Sequence, residues 1–461
     1  MRWKPSLLFL VVTCVVLPRA LVVQAQTFGI TLPRALNFAT SPSPVGSGAR
    51  AAAQAFAFIA VADDATAASH NPAGLVQLER PEVSIVGSYF VRFEDQDVNQ
   101  PETVVEDQTL DSFDLNYFSV AFPFRLIRRS VVVSLNVQRL MDFQGETDTI
   151  TGFTIVDRDT GFISGAGRHD VSSKQSGGLF TISPAFAVQL TPTFSVGVAV
   201  NIWPDLFDNG WEQDVSVRSS GLVFSGPRLV PFTSTGKIEE DFDFEGVNVT
   251  AGFLWTINSV FSLGGVVRSP FTATVTRTHH STIEVTVQDG DAAPVPSPCN
   301  FRETLDMDMP WSYGLGLAAR LTTRLRLAID VARTHWSDFR LEASQKETTA
   351  CNTLSVGTPV GKGQGVLSGA SDDTTSVRLG AEYLWVHPKI VVPFRAGFSY
   401  DPEPGDGGTD EFFGFSLGTG LAIGSFVMDI AYTFRTGTVQ SDAFDTSVNQ
   451  HKVLASLIYH F

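Results

Sequence analysis

Residues able to do chemistry are thinly spread along this chain. His335 and His387 are the histidines a hydrolase could use, yet neither has a recognisable partner, and no Gly-x-Ser-x-Gly elbow occurs. No histidine pair sits at metal spacing on a helix, so the chain reads as a non-enzyme with no metal and no cofactor. The stretch Gly357 to Gly365 with Lys362 misses the phosphate-loop spacing by one residue and ends without Ser or Thr. Gly314-Leu315-Gly316 loosely matches a dinucleotide loop but lies inside an alternating strand with no helix after it. What remains is a set of charges on the polar side of alternating segments: Arg326, Asp330, Arg378, Glu382, Arg395 and Asp429. Such charges pair with one another or with a neighbouring segment, and one of the arginines can instead hold a carboxylate headgroup. Cys299 and Cys351 are unlike any Cys-x-x-Cys site; they can form a disulfide, but nothing in the sequence fixes their distance.

These residues must be positioned by strands. The chain ends on a strict alternation, Val453, Ala455, Leu457, Tyr459, Phe461, and period two with one apolar face is the strand signal. A terminal aromatic of this kind resembles the signal read by the barrel-assembly machinery, which makes that machinery an expected partner through Phe461. At the other end Arg2 and Lys4 precede an apolar run from Leu7 to Leu17, and Val23-Gln24-Ala25 offers a small-residue cleavage site. Residues 1–25 therefore read as a secretory signal peptide, placing the product outside the cytoplasm of a Gram-negative-type bacterium. With 48 acidic against 32 basic residues, nucleic acid is excluded as a partner. Thirty-six Phe, 39 Gly and only 17% charged residues, with no apolar run long enough for a spanning helix, point to an all-β transmembrane barrel in contact with outer-membrane lipids.

Apolar-out alternation is clearest at Val131, Val133, Leu135, Val137; at Phe194 to Ile202; at Leu305, Met307, Met309, Trp311, Tyr313, Leu315, Leu317; and at Phe426 to Phe434. Tight turns are expected near Pro123, at Thr191 to Thr193, Asn258 to Val260, Thr322 to Arg324, His387 to Lys389, and at Gly424-Ser425. Two strands per turn, from Glu82 to Phe461, give an antiparallel barrel of about fourteen strands with both ends on the periplasmic side. Cys299 then falls in the loop after the seventh strand and Cys351 in the loop after the ninth, both extracellular. Several inward positions are apolar, which a water-filled porin would not choose: Phe118 and Phe122 opposite Leu115 and Tyr117, Trp203 opposite Ile202, and Leu454 and Ile458 opposite Tyr459. They line a ligand path or pack against a plug. The apolar face changes phase near Tyr117-Phe118 and again across Gly246, and both places are candidates for a bulge.

Residues 26–80 break the barrel pattern, with Pro42, Pro44, Gly46 and Gly48, an Ala-rich run, and the turn chemistry of Asn71-Pro72-Ala73-Gly74. Gly48-Ala49-Arg50-Ala51-Ala52, then Ala60-Val61-Ala62-Asp63-Asp64-Ala65-Thr66-Ala67, then Asn71-Pro72-Ala73-Gly74-Leu75, resembles the N-terminal hatch of the FadL/TodX importers of long-chain fatty acids and hydrocarbons. Met309-Pro310, Thr334-His335-Trp336-Ser337-Asp338-Phe339, Pro393 to Asp401 and Gly418 to Tyr432 extend the resemblance along most of the chain. Gln54-Ala55-Phe56 departs from it, standing where relatives often carry a Met-Gly-Gly-like run.

The resemblance implies a signal peptide (1–25), a hatch over residues 26–80 and a barrel over 81–461. It implies capture of a hydrophobic small molecule by the loops, passage past the hatch and lateral release into the bilayer. Long-chain fatty acids are the first expectation. Aromatic or alkane hydrocarbons, or a hatch-bearing secretion scaffold without a solute path, are the alternatives. Asn71, Pro72 and Ala73 would lie where the hatch meets the wall opening, with Asn71 bonding wall backbone. Asp63 and Asp64 read as helix-end or turn residues. A monomer is expected.

Overall fold

Alternating segments joined by tight turns can satisfy their backbone in a membrane only by closing on themselves, and the computed structural model shows that closure. It describes residues 10–12, 26–28, 47–98, 103–156, 163–204, 209–225, 228–288, 298–342, 366–368, 372–405, 408–440 and 444–461. The cleavage site, Cys351 and the Gly357 to Gly365 stretch lie outside the described residues.

Fourteen antiparallel strands form the wall. They are β1 (Glu82–Val98), β2 (Gln108–Leu126), β3 (Arg129–Asp142, continued by Gly145–Val156), β4 (Ile163–Thr191), β5 (Phe194–Trp203, continued by Gly210–Ser225), β6 (Arg228–Thr256) and β7 (Phe261–Arg268, continued by Phe271–Val287). The ring goes on through β8 (Cys299–Met309, continued by Ser312–Arg320), β9 (Leu325–Thr334), β10 (Thr374–His387), β11 (Ile390–Tyr400), β12 (Phe412–Ile423), β13 (Phe426–Gln440) and β14 (Phe444–His460). It closes where β14 pairs with β1, from Phe444 opposite Val98 to His460 opposite Glu82.

Turns sit at Pro192-Thr193, 257–260, 321–324, Pro388-Lys389 and Gly424-Ser425, within the expected segments. The first does not. Pro123 lies inside β2 opposite Val132, and the chain reverses at Ile127-Arg128, both with positive φ. Pairing of β2 with β1 ends at Ala121, so the missing proline donor faces no neighbour there.

Outward faces carry Val133, Leu135, Val198, Ile202, Met428, Ile430 and Leu457, all well exposed in the isolated chain, while Leu454 and Ile458 point inward and are buried. In β2 a bulge at Asn116, opposite the Val86/Gly87 step of β1, puts Asn116 and Tyr117 both inward. Phe118 and Phe122, expected in the lumen, therefore face lipid, 41% and 51% exposed. The phase change across Gly246 is no bulge. The register shifts at this level come from extra residues in the neighbours β5 and β7, while the even-numbered residues of β6 face inward throughout. Only the apolar side changes, from inward Phe242 and Phe244 to outward Val247 and Val249.

The run from Leu305 to Leu317 is not one lipid-facing surface either. Its alternation looks continuous, yet the chain breaks at Pro310: Leu305, Met307 and Met309 point inward, whereas Tyr313, Leu315 and Leu317 point out. β7 breaks at the same level, at Ser269-Pro270. Cys299 opens β8 rather than lying in the preceding loop, and it is disulfide-bonded.

Candidate functional site

Residues 47–78 are packed within the ring as two short helices, α1 (Ala49–Ala52) and α2 (Ala67–His70), and a 3-10 turn (Pro72–Gln77). Small residues make this possible from both sides. Ala49, Ala51, Ala52, Ala53, Ala57 and Ala67 are completely buried. They meet a belt of wall glycines, Gly197, Gly252, Gly264, Gly316, Gly380, Gly397 and Gly418, at each of which a Cβ would come within 3 Å of the inner segment. Phe58 and Leu75, fully buried among the alanines, supply about 1.5–3 kcal/mol each.

Polar contacts then fix the segment. Asp330 on β9 accepts from Phe58 N at 2.6 Å and Ile59 N at 2.8 Å. Ser416 on β12 accepts from Ala55 N and donates to Ala53 O. Tyr117 on β2 donates to Ala65 O. Asn71, wholly buried, donates to Ile59 O and to Phe253 O of β6, both at 2.9 Å, and its Oδ1 accepts from Ala73 N. Pro72 starts the 3-10 turn. The motif abuts β5 and β6, where a Cβ on Gly197 or Gly252 would strike Pro72 or Asn71.

Arg50 binds Asp63 at 2.8 Å and the wall carboxylate Glu382 at 3.1 Å. Glu382 also holds Arg326 at 2.5 Å and Arg395 at 2.7 Å, and Arg395 reaches Asp429 at 2.6 Å. Asp63 pairs with Arg326 at 3.0 Å. Burial opposes its charge, but Arg50 and Arg326 outweigh that and hold the carboxyl below its ordinary range. Asp64 makes a local turn, accepting from Thr66 N and Oγ1, and also lies 3.6 Å from Arg50; burial pushes its pKa up. Arg378 pairs with Asp401 at 2.9 Å. Arg50, the one charge between Ser47 and Ala62, is the anchor that residue-by-residue reading passed over.

Above the segment lies a cavity of about 410 Å³, within the range of small-molecule sites. Its lining includes Phe56, His70, Leu140, Met141, Trp203, Arg268, Phe271, Trp336 and Lys452. Ala55 and Phe56 both take positive φ, a conformation that is strained for non-glycine residues, and so present the Phe56 ring to the cavity. Trp203, Phe244 and Phe271 form an aromatic cluster with centroids 5.4 to 6.3 Å apart, continuous with buried Trp211, Phe242 and Met307. Arg268 donates to Ser69 O at 3.1 Å. Among the described residues no carboxylate pairs with Arg268 or with Lys452, whose ammonium lies over the Phe90 ring. Leu454 packs on Ala49, Ala52 and Ala53, and Ile458 borders a second cavity of about 470 Å³ beside Arg50 and Glu382.

His70 donates from Nε2 to Ser47 O, and burial, with Arg268 and Arg378 nearby, pushes its pKa down to about 4. Detached from the wall the imidazole would titrate near 6.5, so the detached form binds the proton first. The hold on the segment is complete above pH 6.5 and weakens by about 1.4 kcal/mol per unit as pH falls toward 4. Hydrogen exchange of residues 47–70 across this range should show that slope, and His70→Phe should flatten it.

The wall ladder is interrupted between β2 and β3. β2 and β3 pair only from Tyr117/Gln138 to Leu126/Arg129, although both strands run on. Beyond Gln138, β3 stays with β4 through a bulge at Leu140, and β2 stays with β1 beyond its bulge at Asn116. Two bulges thus turn the strands apart where their ladder ends. Higher up, the short strand Thr103–Val105 pairs with Thr149 to Thr151 and closes the window. Leu140 and Met141, at its edge, also line the cavity.

A chain Glu240–His279–Ser281, with contacts of 2.6 and 2.9 Å, imitates a hydrolase relay. Arg277, however, grips both oxygens of the same Glu240 at 2.5 and 2.6 Å, and Ser281 borders neither cavity. The group braces β6, β7 and β8. His335 stacks on Trp311 and binds Asp373.

A closed barrel with an occupied interior, a partly apolar cavity and a window in its wall defines an outer-membrane transport barrel. Residues 43–434 match the sequence model of the family described as outer membrane protein transport protein (OMPP1/FadL/TodX), and the chain belongs to this family of transporters of hydrophobic molecules. A Pseudomonas aeruginosa FadL homologue superposes with a TM-score of 0.57 at 13% identity, covering 91% of this chain and 100% of that one. The P. putida toluene transporter TodX does so at 0.53 and 15% identity, covering 91% and 99%. For the monoaromatic hydrocarbon channel CymD the values are 0.52 and 15%, covering 91% and 98%. At these identities the likeness shows the fold. Among curated proteins none matches in sequence.

Proposed function

We propose that this chain imports amphipathic hydrophobic molecules bearing a carboxylate, long-chain fatty acids first. It would take them from the extracellular side into the cavity and pass them to the bilayer through the window between β2 and β3. Residues 47–78 act as the hatch that closes the straight path to the periplasm. Arg268 carries this reading: a guanidinium at an apolar cavity, with no carboxylate partner among the described residues, suits an acid and has no use for a hydrocarbon. The apolar lining keeps the acyl carbons out of water at about 25 cal/mol per Å². Export with loss of residues 1–25, assembly through Phe461 and action as a monomer in the outer membrane of a Gram-negative-type bacterium belong to the same reading.

A second reading is import of aromatic hydrocarbons, favoured by the Trp203, Phe244 and Phe271 cluster. A scaffold without a solute path has the cavity against it. Binding of radiolabelled oleate and toluene to the purified barrel separates them. A hydrogen bond to a charged group contributes about 1.5–3 kcal/mol, so Arg268→Met should weaken oleate binding about 10- to 100-fold and leave toluene unchanged. Saturable toluene binding with no oleate binding selects the second reading, and no binding of either removes both.

A further inference from the structure

Where β2 and β3 part, one side chain still joins them. Arg139 on β3 makes an ion pair with Asp114 on β2, across the stretch that has lost its backbone ladder. Arg139 is fixed to its own side by Asp142 at 2.7 Å, by Gly177 O at 2.9 Å and by the Phe180 ring under its guanidinium. Toward β2 its partner among the described residues is Asp114, whose other oxygen accepts from Ser112 on the same strand. The residue is buried, 7% exposed, and its Nε has no acceptor among the described residues. Its immediate neighbours Leu140 and Met141 line the cavity.

We propose that Arg139 and Asp114 form a latch across the window, opened when a carboxylate-bearing ligand takes the place of Asp114 on Arg139. The inference rests on the function proposed above and deepens it by making the headgroup the key. Breaking a buried ion pair outright leaves an uncompensated charge and is strongly unfavourable. Exchanging one carboxylate for another leaves Arg139 paired throughout. Because Arg139 is held by Asp142 of β3 and by Gly177 O and the Phe180 ring of β4, the strand that moves is β2 with Asp114. A hydrocarbon offers no exchange, so it meets a shut window, and selectivity arises at exit as well as in the cavity.

The test is a distance across the window, read between spin labels at Leu115→Cys on β2 and Gln144→Cys beside β3 in the full-length barrel in detergent. A single short distance is expected without ligand, lengthening with oleate and not with dodecane. Asp114→Asn should lengthen it with no ligand present, and Asp114→Glu, which keeps the charge, should retain the short distance, which excludes simple misfolding. An unchanged distance in Asp114→Asn, or equal opening by dodecane and oleate, overturns the latch. Oleate binding is measured on the same samples: its loss in the parent protein counts against the proposed function, whereas intact binding with an indifferent window counts against the latch alone.

Discussion

Glu382→Ala should release the inner segment from the wall. The carboxylate is 2% exposed and is shared by Arg50, Arg326 and Arg395, so its removal leaves three buried guanidiniums with Asp63, Asp64 and Asp429 as their remaining partners. Breaking a buried ionic group by removing one member costs about 3–5 kcal/mol. Because Arg50 is on the segment and the other two arginines are on the wall, the loss falls on their contact. Amide hydrogens of residues 49–65 should lose protection while those of β10 and β11 keep theirs, and ion conductance in planar bilayers should rise. Protection and conductance equal to the parent would mean that Glu382 holds wall to wall only.

Gly397→Val tests the same contact through shape. A Cβ there would stand 2.4 Å from Ala55 N and from Gln54 C, and 2.6 Å from Ser416 Oγ. Valine is the better strand residue, so on wall propensity alone the change should stabilise β11. Overpacking costs about 1–3 kcal/mol, occasionally more, and here it strikes backbone that has no rotamer to turn away. The expected result is a displaced segment with raised conductance and an intact barrel on unheated gels. Gly236→Val, whose Cβ has nothing nearer than 3.7 Å, should behave as the parent. If both substitutions are silent, the segment is not held by close approach.

Local chemistry made the wall readable. Alternation and turn residues are properties of neighbouring positions, which is why strand number and most turns could be read from Glu82 to Phe461. Faces were less legible. At Asn116 a single extra residue shifts every later side chain, so Phe118 and Phe122 were placed on the wrong side; at Pro310 the apolar alternation runs on unbroken while the strand beneath it changes face. Pro123 was read as a turn because a proline in a strand without a neighbour on one side looks the same in sequence. The site itself depends on partners far apart in the chain: Arg50 with Glu382, Asp114 with Arg139, and Arg268 with no carboxylate among the described residues. No spacing encodes such pairs. Only the clustering of alanines before residue 80 and the abundance of glycine after it hinted that two surfaces would touch.

The glycine belt also constrains how the protein is made. The segment lies against strands from β2 round to β14, with room for no side chain at the glycine belt, and it is joined through residues 79–81 to β1, which is zipped to β14 over its whole length. A core fitted so closely cannot be threaded into a finished cylinder. The fit therefore predicts that the last strand joins the first around a segment already in place, with residues 47–78 as the mandrel on which the wall is wound.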